Sequence, residues 1–154
     1  MSEEWMENMR SSVQLELSWR ARGSNSPFTT RSESPQWSDV DFALSAVFDA
    51  GGMVRLSAVQ PAETWLIQLA LDCEPGACRI IARVNSEDQK MSLLEWSEGE
   101  RSDVPIVISD HAWDARTVCK SLVVVKAVFQ AIFDNPEIEE NGLKGFESPW
   151  FRSP

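Results

Sequence analysis

Between Trp65 and Trp96, apolar and polar residues alternate along three successive runs with only short breaks between them. Trp65, Ile67, Leu69 and Leu71 mark the first run, and Cys78, Ile80, Ala82 and Val84 the second, with Arg79 and Arg83 pointing the other way. Met91 to Trp96 forms the third. A period of two means strands with one apolar face. The breaks are Glu74-Pro75-Gly76, a tight turn, and the polar stretch 85–89. Connections this short cannot carry a crossover between parallel strands, so neighbouring strands pair antiparallel as hairpins.

The rest of the chain extends that meander. Val13, Leu15, Leu17 and Trp19 alternate with polar residues and predict an early strand, followed by a Ser-, Pro- and Gly-rich loop over 23–36. Ser38 is a candidate N-cap, with Asp39 and Asp41 at the positive end of the helix dipole. Val40, Ala43, Leu44, Val47 and Phe48 recur at helical spacing, so a helix is expected over 38–50. Gly51-Gly52 ends it, and Val54, Leu56 and Ala58 begin a strand at once. Val104 to Ile108 reads as a brief strand at an edge or strand start because of Pro105. Residues 109–114 read as the entry to a second helix over about 115–133, with Leu122, Val125 and Phe129 on its inner stripe and Asn135-Pro136 as its stop. The order predicts an α+β fold: a mostly antiparallel five- to six-stranded sheet with two helices packed on one face. A single domain spans 1–154, with 1–12 and 137–154 expected to be loosely packed ends.

Charge bounds the function. The chain has 14 Lys and Arg against 24 Asp and Glu, a formal net charge of −10. This disfavours nucleic-acid binding, which needs cations to neutralise phosphates, and disfavours an anionic membrane surface. It suits a basic protein partner. No apolar stretch approaches the length of a membrane span, and the acidic start MSEEWMENMR does not read as a signal peptide. Cys73, Cys78 and Cys119 form no even framework, and with one His in the chain they make a poor zinc set. They are expected to be reduced thiols of a cytoplasmic protein.

Catalytic motifs are missing: no P-loop, GxGxxG, HExxH or GxSxG stands in the chain. No catalytic residue, cofactor or metal is therefore expected. His111, between Asp110 and Asp114, is the one candidate general base. Cys119 lies eight residues further on, too far along a helix for a local Cys–His pair. The densest acidic cluster is Glu95, Glu98, Glu100 and Asp103 around Trp96. It is the expected partner-binding loop, with the acids steering a cationic partner and Trp96 anchoring it. Asp110 and Trp113, at the following turn, are expected to contribute.

Two blocks, WSDVDFALSAVFDAGGMVRLSAV and VPIVISDHAWDARTVCKSLVVVKAVFQAIF, resemble small bacterial immunity-type proteins of polymorphic-toxin and secreted-effector loci. In that pattern a Trp and acids open a helix that ends in Gly before a strand, here Trp37, Asp39, Asp41, Gly51 and Gly52. Later a D-x-W-D-x-R turn leads to the last helix, here Asp110, Trp113, Asp114 and Arg116. The chain departs from the pattern at one position: Ser109 stands where the pattern has a Gly before the acid. The resemblance implies a noncatalytic cytoplasmic protein that binds and neutralises a cognate toxin. A basic nuclease would suit the charge. An effector-loading adaptor or chaperone is the alternative, and a small enzyme using His111 a further one.

Overall fold

The computed structural model describes residues 13–23, 29–60, 64–85, 91–98, 104–139 and 142–148. In chain order these form strands β1 (Gln14–Ala21) and β2 (Thr30–Glu33), helix α1 (Trp37–Ala50), and strands β3 (Gly52–Gln60), β4 (Leu66–Glu74), β5 (Ala77–Asn85) and β6 (Met91–Trp96). Then come β7 (Pro105–Ile108), β8 (His111–Asp114), a single 3-10 turn at Ala115–Thr117, helix α2 (Leu122–Asp134) and the short strand β9 (Phe146–Glu147). Seven strands make one antiparallel sheet in the order β2-β1-β3-β4-β5-β6-β9, and β7 and β8 make a separate hairpin. The α+β class and the antiparallel meander are as the sequence predicts. The main sheet is larger than the five to six strands expected, because β2 forms inside the polar stretch 23–36 and β9 forms after α2.

Strand β1 pairs with β2 on one side and β3 on the other, both antiparallel. Strands β2 and β3 are therefore parallel to each other, and α1 is the long connection such a crossover requires. From β3 to β6 each strand pairs with the next. Registered positions give one face of the sheet a continuous apolar row, Leu17–Leu56–Leu69–Ala82–Leu94, beside a second row, Trp19–Val54–Leu71–Ile80. The opposite row reads Ser18–Arg55–Ala70–Ile81–Glu95–Glu147. A register shift between Leu66 and Gln68 inserts an irregularity in β4. Leu66 is buried as a result and Ile67 is left half-buried, so the inward set Trp65, Ile67, Leu69 expected from alternation breaks at this point.

The two helices cover the apolar face. Val40, Ala43, Leu44 and Val47 of α1 and Val125, Phe129 and Ile132 of α2 are buried. The helices run antiparallel: Trp37, at the start of α1, meets Phe133, near the end of α2, with ring centroids 5.7 Å apart. One turn inward, Lys126 Nζ lies 2.9 Å from Asp41. The cap of α1 is Gln36 rather than Ser38. Gln36 and Asp39 form a reciprocal capping box, so the helix starts at Trp37. Leu122 is only half-buried, because α2 starts at Leu122 under a cap from Ser121. The long helix expected over 115–133 is in fact a 3-10 turn followed by a shorter helix. Ser121 ends the extended stretch between them by accepting from the Val124 N–H at 3.3 Å. Of the segment expected to be loosely packed, Ile138 is buried in the core and Phe146 pairs with Trp96. Residues 1–12 and 149–154 lie outside the described residues.

Gly52 shows why the double glycine stands where it does. Its φ is +131°, and a Cβ there would sit 2.1 Å from the Arg20 carbonyl oxygen. Only glycine lets β3 enter the sheet tight against β1. Cys73 and Cys78 are joined by a disulfide across β4 and β5. This corrects the expectation of three reduced thiols. Their five-residue spacing is unlike CxxC, but the Pro75-Gly76 turn makes them directly opposed partners with Cα atoms 4.2 Å apart. Cys119 is a free, buried thiol.

Phe129→Ala should lower unfolding free energy by about 3–5 kcal/mol in a denaturant titration, because Phe129 is fully buried. Val123→Ala, on the exposed side of the same helix, should change it by no more than about 0.5 kcal/mol. Equal effects at both positions would mean the helix face is wrong. Gly52→Ala should cost at least about 1–3 kcal/mol in the same assay.

Candidate interaction surface on the second sheet face

The face of the sheet away from the helices would be polar and solvated if it stood alone. It does not. The β7–β8 hairpin lies over it at the end where β4 and β5 turn. The hairpin turns on Ser109 and Asp110, both with positive φ, +51° and +67°. A two-residue turn of that kind matches the twist of a hairpin, and Asp tolerates the conformation at small cost. Residues 111–114 are therefore a strand, not the entry to a helix. Asp114 caps the following 3-10 turn instead, its side chain accepting from the Arg116 N–H at 3.0 Å.

Beneath the hairpin lie two buried charges. Arg79 of β5 and Glu95 of β6 point from the second face, and their Nη2 and Oε2 atoms are 2.7 Å apart. The Trp113 ring lies over the guanidinium, 3.3 Å from its carbon to the ring centroid. The indole thus excludes water from the pair and adds its own attraction for the cation. Trp113 is held by an Nε1 hydrogen bond to the Ile108 carbonyl at 3.4 Å, and Ile108 is itself buried.

A second set of polar contacts ties the hairpin at its ends. The Ser109 N–H donates to Glu74 at 3.1 Å, and both terminal nitrogens of Arg22 reach the same carboxylate. The Arg22 guanidinium, helped by the Ser109 N–H, holds the Glu74 carboxyl below the usual carboxylate range. At the other end Arg116 pairs with Glu147 of β9, and the Glu98 N–H donates to the Arg116 carbonyl at 2.8 Å. Glu98 is thereby fixed beside the base of the hairpin.

This arrangement sorts the residues expected to bind a partner. Glu95 and Trp96 are not surface groups. Glu95 is buried against Arg79, and Trp96, 6% exposed, points to the opposite face and joins the main core. Alternation along β6 forces that split. Glu98 and Asp110 are exposed, and Trp113 is half-buried with one face on Arg79. Glu100 and Asp103 lie outside the described residues. The apolar part of this surface comes instead from residues the sequence reading passed over. Val107 of β7 is 59% exposed, and its cross-strand partner Ala112 is also exposed. Val104 stands exposed just before them. A hairpin reading of PIVI-SD-HAWD would have shown Val107 and Ala112 sharing the outer face.

His111 sits in β8, exposed, with its ring 6.1 Å from that of Trp113. Cys119 is turned inward, its Sγ 3.4 Å from the Ser121 carbonyl, and burial pushes its thiol up and away from the reactive thiolate. Among the described residues, no three His, Cys, Asp or Glu side chains are grouped to hold a metal ion. The outer side of the hairpin thus exposes Val104, Val107 and Ala112, with Glu98 exposed near its base and Asp110 exposed in its turn.

Removing one member of the buried pair takes away the 2.7 Å contact that offsets the other's lost hydration. Arg79→Met or Glu95→Gln alone should cost about 3–5 kcal/mol, and the double variant should recover much of the loss. Additive losses in a double-mutant cycle would show that the two do not act together. Because Glu74 titrates lower in the folded chain than in the unfolded one, its contribution is present above the ordinary carboxylate pKa and lost as pH falls through the folded value. The protection factor of the Ser109 amide, its exchange rate divided into the intrinsic rate at each pH, should therefore fall as pH drops below the ordinary carboxylate range. In Glu74→Gln that protection should be low at neutral pH already.

Comparison with known proteins agrees with the fold and leaves the activity open. No curated protein matches the chain. A solved structure, the crystal structure of a hypothetical protein from Neisseria gonorrhoeae, is similar with a TM-score of 0.68 at 14% identity. The likeness covers 84% of this chain and 93% of that one, and at this identity it speaks for the fold alone. A family of unknown function, DUF6911, matches residues 17–141. With that match spanning most of its length, the chain belongs to the DUF6911 family.

Proposed function

We propose that this chain is a noncatalytic binding protein that neutralises a cognate basic effector toxin in the producing cell, an immunity protein in function. The observation that carries the reading is the outer face of the β7–β8 hairpin, an exposed apolar centre at Val104 and Val107 with Glu98 and Asp110 beside it. Apolar anchors ringed by polar groups are the usual form of an energetic hot spot. The net charge of −10 adds long-range attraction for a cationic partner. Resemblance to immunity-type proteins supplies the biological setting. The residues first expected to carry binding are redistributed: Glu98 and Asp110 remain as steering charges, Trp113 acts from beneath by seating the hairpin, and Val107 takes the anchoring role first given to Trp96.

A cytoplasmic setting belongs to the same proposal. The described residues include no helix long and apolar enough to cross a membrane. A cytoplasmic setting drew on three reduced thiols, and the Cys73–Cys78 bond withdraws that support, since such bonds persist in oxidising compartments. Alkylation trapping of the chain in intact cells decides the point. Cys73 and Cys78 should be reduced in the cytoplasm and oxidised in the cell envelope.

The test of function is protection. Such a function requires a toxin gene next to this chain's own; cells expressing its effector domain should survive when the chain is co-expressed and die without it, and a neighbourhood with no such gene would count against the proposal. Glu98→Lys with Asp110→Lys should slow association about tenfold or more at low salt, and high salt should erase the difference. Val107→Asp should mainly speed dissociation. Export of the effector without any protection would identify an adaptor instead. Loss of protection in a folded His111→Ala protein that still binds the effector would bring back the enzyme reading.

A further inference from the structure

The two edges of the main sheet are built differently. Strand β2 closes one edge with Thr30-Arg31-Ser32-Glu33, where Arg31 and Glu33 are exposed. Charged side chains on an edge oppose pairing with another chain. At the other edge β9 covers only Glu95 and Trp96 of β6. No described strand lies beyond Met91–Leu94, whose sequence is Met-Ser-Leu-Leu, without a charge or a proline. Met91 is 62% exposed and Leu93 36% exposed. The two residues are two apart, so they share one face of the strand.

We propose that this edge pairs with the same edge of a second copy of the chain. The sequence is self-complementary there. A two-fold axis through Ser92 sets Met91 opposite Leu93 of the second copy, and Leu93 opposite its Met91. Both exposed apolar side chains are then covered by their counterparts, and Ser92 faces Ser92. Sliding the axis to Leu93 would bring Met91 opposite Glu95, which β9 already occupies. The Ser92 axis therefore has the better register. Isologous pairing of this kind closes after two copies and leaves the charged β2 edges at the two ends of a continuous sheet. The seam is short. It falls below the roughly 800 Å² per partner of a standard stable interface, so the dimer is concentration-dependent. The hairpin surface proposed to bind a partner lies on β7 and β8, so the pairing does not depend on that reading.

Sedimentation velocity of the full chain from about 5 µM to 500 µM should show a monomer–dimer equilibrium. Met91→Lys with Leu93→Lys should weaken the dimer at least tenfold while leaving the circular dichroism spectrum unchanged. Ser92→Cys should form an intermolecular disulfide under mild oxidation, because only a two-fold at that residue places it against itself. A monomer throughout the concentration range, a dimer indifferent to the lysine pair, or absence of the Ser92→Cys cross-link would each overturn the proposal. So would a dimer that appears only when residues 149–154 are removed, since the edge would then be filled by the chain's own tail.

Discussion

The buried pair of Arg79 and Glu95 decides how the second side of this sheet is used. Two charges inside a protein cost several kcal/mol each in lost hydration, and close contact offsets this only when water is kept out and the geometry holds. Here the Trp113 indole lies over the guanidinium and the two side chains meet at 2.7 Å. The arrangement requires the β7–β8 hairpin to lie where it does. It also makes the hairpin's position sensitive to the sheet beneath, because a misplaced Trp113 would leave a buried cation wet on one side. The main core needs no such device. Its two apolar rows and two helices would hold together by burial alone.

The hairpin is thus a surface module on a rigid support. Its inner side carries Ile108 and Trp113, and its outer side carries Val107 and Ala112, which follows from alternation once the Ser109-Asp110 turn is formed. Glu74 and Glu147 hold the two ends through Arg22, Ser109 and Arg116. Cys119 is turned into the interior, and Asp114 caps a turn. For the partner we propose, an exposed apolar patch whose backbone is already hydrogen-bonded suits recognition of a preformed surface better than capture of a flexible one, because little ordering is required on this side.

Much of the fold was legible because periodicity is a local signal. The strands from β3 to β6 announce themselves by alternation and by the Pro75-Gly76 turn, and α1 by its apolar stripe and the double glycine behind it. The failures were also local in origin. Ser-Asp is a weak hairpin signal beside Asn-Gly, so the β7–β8 turn passed for a helix cap. Strand β2 lies in a polar run that pairs only because β1 offers it an edge. The disulfide depends on cross-strand register, which spacing alone does not reveal. The candidate site suffered most, because the parity of a strand separates neighbours. Glu95 and Trp96 are adjacent in sequence and face opposite sides of the sheet. A cluster counted along the chain was divided between a buried ion pair and the core.

We propose the hairpin's outer face as the place where a partner binds. Hydrogen–deuterium exchange of the chain, alone and with the effector domain against which it protects cells, tests this directly. The account predicts new protection of backbone amides across Val104 to Asp114 and at Glu98, with α1 and α2 unchanged. Protection confined to the helical layer, with the hairpin exchanging as in the free protein, would contradict it.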